Sequence, residues 1–317
     1  MLRAKKEKPK RYNISVDELI YPLFVKPGRG LQEEIPSMPG VFRFSPDTLV
    51  KEVSKLERAG LRRFLVFGVP DEKDWQGSGA CREDNIVAES VYSLKIHFSN
   101  ISIITDVCLC AYTSHGHCGV IVKQQNTIDR IATLKSLSNM ALSHARAGAD
   151  FVAPSAMAKN QVKAIRSTLD KNGYAQTKIL GYSAKFASNF YGPFRAVANS
   201  APKSGDRRGY QLDYTKRESA LDRVKQDIKE GADIVMVKPS LAYLDIVRDV
   251  KNRFNHPLAV YNVSGEYASV KNGAKNGFWD EREIVFEIIS SIKRAGADFI
   301  ITYHAKDIAG WLKKERR

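Results

Sequence analysis

The apolar positions of this chain gather into short runs separated by longer amphipathic stretches. Eight runs stand out: ELIYPLFV (18–25), RAGLRRFLVFGV (58–69), ISIITDVC (101–108), RAGADFVAPSA (146–156), KILGYSAK (178–185), KEGADIVMVKP (229–239), PLAVYNVS (257–264) and RAGADFIITYHA (294–305). Their apolar cores are nearly continuous rather than alternating, which suits strands covered on both faces, as in a parallel sheet. Between most of them the apolar residues recur at helical spacing, as over 129–146, 158–172 and 216–230, and this predicts helices lying on the sheet.

Four of the runs share one phrase, a polar helical stretch closing on a small residue and glycine before the strand begins. Gly60, Gly148, Gly231 and Gly296 fall where a helix C-terminus takes a left-handed residue. Eight strands alternating with helices predict an α/β fold, a single (β/α)8 TIM barrel with right-handed crossovers. An open doubly wound sheet is the alternative, but no GxGxxG phosphate loop follows any strand. The 317 residues accommodate one barrel, which commonly needs about 250. Residues 1–16 are expected to form a short basic N-terminal arm and 17–317 the catalytic barrel. Segments 70–87 and 186–215 read as long loops at the C-terminal ends of strands, where barrel active sites lie.

Composition narrows the class. Hydrophobic content of 43% and charged content of 27% belong to a soluble globular protein. No run approaches the roughly 20 apolar residues of a membrane span, so no membrane partner is expected. The basic start MLRAKKEKPKRYN is followed by no apolar signal region. Four cysteines in this length make no disulfide framework, and a cytoplasmic location is expected. The net charge of +15 raises nucleic-acid binding. Yet Lys and Arg are interleaved with Asp and Glu, and only Lys5, Lys6, Lys8, Lys10 and Arg11 are dense. A solvated surface, with no nucleic-acid partner, accounts for it. Such a field also draws in carboxylate substrates.

Chemistry concentrates at strand ends. Residues 106–119, DVCLCAYTSHGHCG, hold three of the four cysteines and two histidines. Cys108, Cys110 and Cys118 can supply three thiolates to one divalent ion, where reduced neighbouring thiols are the plainer reading. A three-ligand site keeps the open position that separates a catalytic zinc site from a structural one. His115 and His117 are read as orienting neighbours rather than ligands. The other strand ends carry Ser155, Lys185, Lys238, Ser264 and Tyr303. An ammonium buried beside VMV or ILGYSA is costly without purpose. Desolvation and a second lysine depress its pKa, and a neutral amine attacks a carbonyl to form a Schiff base. A salt bridge or phosphate contact is the plainer reading of either lysine alone. The loop after Lys185 offers Arg195, Arg207, Arg208 and Gln211 to a carboxylate, as a lid would. Lys306 is read as a cap.

The segments LIYPLFV, SMPGVFRFS, DVCLCAYTSHGHCG, GYSAKFASNFYGPFR, GDRRGYQLD, GADIVMVKPSLAYLDIVRDVK, YNVSGEYA and IKRAGADFIITY closely resemble porphobilinogen synthases, the delta-aminolevulinic acid dehydratases, of the zinc type. The resemblance spans nearly the whole chain from residue 18. It implies a hydro-lyase that condenses two 5-aminolevulinate molecules to porphobilinogen with loss of two waters, in tetrapyrrole and heme biosynthesis. By matching motif, Lys238 would form a Schiff base with one substrate, whose carboxylate Ser264 and Tyr303 would hold. Lys185 would bind the second substrate, with Arg195, Arg207 and Gln211 on its carboxylate. Cys108, Cys110 and Cys118 would bind one catalytic Zn2+ per subunit, and Asp106 would assist proton transfer.

Departures from the family pattern are specific. Ala111 stands where many zinc-type members have Glu, outside the ligand positions. Lys159-Asn160 replaces the usual Asp-Gly. Arg223 occupies the position of a Glu in magnesium-stimulated members, so no allosteric Mg2+ is expected. The arm is shorter than those that wrap neighbouring subunits in the family's homo-octamer; a homo-oligomer is still expected. Two rival functions remain at this level: a Schiff-base aldolase on the same barrel, which needs one lysine and no thiolate triad, and a basic nucleic-acid-binding protein with a degenerate site.

Overall fold

The eight apolar runs are strands, and they close on themselves. In the computed structural model, which describes residues 14–122 and 127–315, they are β1 (Leu19–Val25), β2 (Arg63–Gly68), β3 (Ser102–Val107), β4 (Phe151–Pro154), β5 (Lys178–Lys185), β6 (Ile234–Lys238), β7 (Leu258–Asn262) and β8 (Phe299–Thr302). Each pairs in parallel with the next, and β8 pairs with β1, Ile300 opposite Leu19. This is an α/β TIM barrel. The arm expected over 1–16 lies mostly outside the described residues; a 3-10 turn at Val16–Glu18, capped by Ser15, leads into β1.

The helices are α1 (Pro46–Arg58), α2 (Ile86–His97), α3 (Arg130–Arg146), α4 (Gln161–Lys171), α5 (Gly192–Val197), α6 (Arg217–Lys229), α7 (Leu244–Arg253), α8 (Ser264–Lys275), α9 (Glu281–Ala295) and α10 (Ala305–Glu315). Helix α1 shows how the sequence builds them. Pro46 opens it with its missing N–H where no partner is needed. Leu49, Val53 and Leu56 form the buried stripe. Gly60 then reverses the chain at φ 101°, a conformation that penalises any residue with a Cβ. Gly148, Gly231 and Gly296 repeat this with φ of 101°, 98° and 125°.

Two apolar layers result. Leu19, Tyr21, Leu23 and Val25 of β1 face the helices, while Ile20 and Phe24 join Leu65, Phe67, Ile104, Met236 and Ile301 inside the barrel, as the two-residue period of a strand requires. At one place the period breaks. Val235 pairs with Gly181, but Val237 pairs with Ala184 and Lys238 with Lys185. Tyr182 and Ser183 thus share one partner position, a β-bulge.

Two additions serve the mouth of the barrel. A hairpin of strands 32–34 and 42–44 lies beside the end of β1. Arg43 donates from Nε and Nη2 to the carbonyl of Val197 at 3.2 and 3.1 Å, so the hairpin holds the end of α5. The β7–β8 connection carries two helices, α8 starting directly after the strand. The segment 186–215, read from the sequence as a long loop, contains α5 as a short helix and lies across the C-terminal mouth.

Candidate functional site

The bulge in β5 decides the site. Leu180 and Tyr182 point into the barrel and Ala184 points out, so the bulge absorbs the extra residue and leaves Lys185 facing inside, beside Lys238. Both lysines are buried, each 6% exposed. Lys238 Nζ lies 4.0 Å from the centre of the Tyr261 ring and 5.1, 5.3 and 5.5 Å from Tyr182, Tyr191 and Phe194. Burial in this aromatic cage, reinforced by the charge of Lys185, holds the Lys238 amine well below its usual pKa. It has no carboxylate partner within salt-bridge distance. Lys185 differs: its Nζ donates to the Ser155 carbonyl at 2.6 Å and lies 5.5 Å from the Tyr182 ring.

Asp106, on β3, faces the two amines. Burial pushes its carboxyl up to about 6, against the pull of Ser155 and both lysines. Its Oδ1 has no hydrogen-bond partner. A carboxyl tuned to this range exchanges a proton readily near neutral pH.

The three cysteines converge directly after β3. Their sulfur atoms all lie within 4.8 Å of one another and are buried, and the Sγ atoms of Cys108 and Cys110 are 3.4 Å apart. Zinc–sulfur bonds of about 2.3 Å at tetrahedral angles place sulfurs roughly 3.8 Å apart, so the trio fits an ion with small adjustment. Contacts from Cys108 and Cys110, with Arg207 and Lys185 nearby, hold Cys118 well below the usual thiol range, which favours the ligating thiolate. Cys81, the fourth cysteine, stands apart and donates to Ser136. The histidines build the loop, as expected. His117 N donates to His115 Nδ1 at 3.1 Å, and His117 Nε2 meets the Ser204 carbonyl at 2.9 Å.

Arg207 is buried, donating through Nη2 to the carbonyls of Gly116 and Ser200 while Nε stays unpaired. Burial opposes its charge, but the Cys118 and Cys110 sulfurs more than offset this and hold the guanidinium above its usual pKa. Arg195 is half-buried, packs 5.9 Å from the Tyr191 ring, and also has a free Nε. Gln211 is buried with neither amide atom partnered. These free donors share one side of the mouth, near Cys118. On the other side the Tyr303 hydroxyl meets that of Tyr261 at 3.0 Å. Ser264 Oγ accepts from the Phe194 amide at 3.1 Å and donates to the Phe190 carbonyl at 3.3 Å. Phe194 itself packs edge-on against Phe67, centroids 5.1 Å apart, and lies over the Lys238 amine.

Other candidates lie elsewhere. Arg208 is exposed beside Asp206. Lys306 pairs with Glu52 at 2.6 Å. Arg223 reaches Asp227 and the Ala158 carbonyl, so a side chain already fills that position. Lys159 is exposed, and Asn160 adopts the left-handed conformation at φ 66°. Asparagine tolerates that region better than other non-glycine residues, so this loop keeps the shape a glycine gives. Tyr182, Tyr191, Phe194 and Tyr261 were not distinguishable from core or loop aromatics by sequence pattern.

The comparisons agree with one another. A family model described as delta-aminolevulinic acid dehydratase matches residues 3–311. The chain is 47% identical over 310 residues to the delta-aminolevulinic acid dehydratase of Bacillus subtilis, covering 98% of this chain and 95% of that one. It is 52% identical over 299 residues to that of Methanothermus sociabilis, covering 94% and 92%. The crystal structure of the Toxoplasma gondii enzyme, in complex with its reaction product porphobilinogen, superposes with a TM-score of 0.93 at 39% identity, covering 96% of this chain and 87% of that one.

Proposed function

The chain belongs to the delta-aminolevulinic acid dehydratase (porphobilinogen synthase) family of hydro-lyases, and we propose that it condenses two 5-aminolevulinate molecules to porphobilinogen through two lysines and a thiolate-held zinc. The observation that carries this reading is the inward pairing of Lys185 and Lys238 in a pocket shared with three buried sulfurs.

Lys238 is the nucleophile of choice because burial and Lys185 keep it unprotonated. Its Nζ attacks the ketone of one substrate, and loss of water gives the Schiff base. Ser264 and Tyr303 hold that substrate's carboxylate. Lys185, tied to the Ser155 carbonyl, positions or condenses with the ketone of the second. Arg195, Arg207 and Gln211, with free donors in a water-poor pocket, take the second carboxylate. Asp106 carries a proton between substrate atoms. Cys108, Cys110 and Cys118 would hold one Zn2+, which supplies Lewis acidity at its open position. Phe194 and α5 exclude water while the bonds form. The chain works in the cytoplasm as a homo-oligomer, as an octamer in the manner of its family, without an allosteric magnesium at Arg223.

A colorimetric assay for porphobilinogen on the purified protein, with and without added zinc, tests the reading. Product should form from 5-aminolevulinate, fall away on chelation and return with zinc. Turnover that survives chelation would remove the metal from the mechanism, and absence of product at any zinc level would remove the reaction.

A further inference from the structure

A second constellation of ligand-type side chains lies outside the barrel mouth, where α8, α9 and α10 meet. Glu281, His304 and Asp307 each place one ligand atom within 4.8 Å of the others. They come from separate elements: Glu281 opens α9, Asp307 lies in the first turn of α10, and His304 sits between β8 and α10. Lys271 of α8 now spans the two acids, its Nζ donating to Glu281 Oε1 at 2.6 Å and Asp307 Oδ2 at 2.8 Å.

His304 is the unexplained member. It is 1% exposed, and neither ring nitrogen has a hydrogen-bond partner. A neutral imidazole carries one donor and one acceptor, and burying both unpaired is unfavourable. Its ring packs tilted against Tyr267, centroids 4.5 Å apart, a contact that a purely apolar ring would make as well. What distinguishes histidine here is an unpaired ring nitrogen within 4.8 Å of two carboxylates.

We propose that Glu281, His304 and Asp307 form a second divalent-cation site, in which the ion takes the place of the Lys271 ammonium. One imidazole with two carboxylates is a mixed nitrogen and oxygen set that suits zinc and neighbouring transition ions; magnesium and calcium prefer oxygen alone. The ammonium leaves the two acids with one uncompensated negative charge, whereas a doubly charged ion neutralises both. The Lys271 side chain is 17% exposed and the two acids 32% and 33%, so its flexible stem has a route to solvent and the ion a route in. Bound there, the ion joins α9 and α10 to the residue that follows Tyr303. The site shares no ligand with the cysteine centre, and its existence does not depend on the reaction proposed above.

The test is equilibrium dialysis of chelator-stripped protein against Zn2+, with the bound metal counted. The wild type should hold two ions per chain, and Cys118→Ala and His304→Phe one each. Phenylalanine keeps a ring on Tyr267, and thermal melting establishes that the variant is folded. Co2+ as a second probe separates the centres, because thiolate ligation gives an intense near-ultraviolet band that the nitrogen and oxygen site lacks. Lys271→Met removes the competing charge and should tighten the second ion by at least roughly tenfold, where a merely structural lysine would leave its affinity unaltered. The proposal fails if Cys118→Ala binds no ion at micromolar zinc, if folded His304→Phe still takes two, or if Lys271→Met leaves the second affinity unchanged.

Discussion

Lys185 and Lys238 are register partners on neighbouring parallel strands, although β5 carries one residue more than β6 between Gly181 and Ala184, and the bulge absorbs it. Without the bulge, strand alternation would send Lys185 outward to the helices. Deleting Ser183 removes the extra residue and leaves Lys185 opposite Lys238 by ordinary alternation, so a folded deletion variant should keep its turnover within about tenfold. Ser183→Ala keeps the backbone and should retain most activity. A deletion variant that folds by circular dichroism but forms no porphobilinogen would show that the bulge does more than absorb one residue.

Trapping distinguishes the two amines. Borohydride added with 5-aminolevulinate should leave a reduced adduct on Lys238, located by peptide mass mapping. Its amine is held well below its usual pKa by burial and by Lys185, so it competes for the ketone at neutral pH. Lys238→Met should form no adduct at that position and lose nearly all turnover. An unmodified Lys238 in the wild type after reduction would overturn the nucleophile assignment.

Removing one sulfur separates metal from fold. Cys118→Ala should abolish zinc-dependent turnover while shifting the melting temperature little, because the neighbouring loop is anchored independently by His115 and His117. A variant with unchanged zinc-dependent activity would show that the trio does not hold the catalytic ion.

Gln211 poses stability against function. Its buried amide has no partner, a defect worth about 1–3 kcal/mol. Gln211→Leu should melt higher than the wild type in the absence of substrate, yet raise KM by roughly tenfold through loss of a carboxylate contact. A lower melting temperature with unchanged KM would mean that the amide is satisfied within the protein and takes no part in binding.

Asp227 gives a pH signature away from the active site. Burial, partly countered by Arg223, pushes its carboxyl up to about 6 from the ordinary 3.8. Between those values the folded chain binds more protons than the unfolded one, so this contribution is whole below about 4 and is lost as pH rises through 6. Asp227→Asn should thus gain stability relative to the wild type on going from pH 4 to pH 7, by about 1–3 kcal/mol. Parallel denaturation curves at the two pH values measure it, and a difference that is flat with pH would remove the carboxyl as its source.

Much of this was legible in the residues. Period and glycine placement located all eight strands, and the helices over 129–146, 158–172 and 216–230 matched α3, α4 and α6 within a few residues. The strand ends delivered the chemistry, because parallel strands in a barrel all finish at one mouth. The bulge was not legible: one inserted residue changes no local propensity, and its effect appears only against the neighbouring strand. Nor was the aromatic cage, since Tyr182 and Tyr261 read as core in any strand. The Lys159-Asn160 departure was legible as a substitution but not in its effect, which depends on a backbone angle that asparagine happens to accept.

The Ser264 hydroxyl has one proton, and the Phe190 carbonyl now receives it while the Phe194 amide points at the oxygen. An arriving carboxylate would claim that same proton and release the cover from its footing. If Ser264 holds a carboxylate as proposed, filling one half of the pocket would loosen segment 190–194 above it, and the substrates would bind in order.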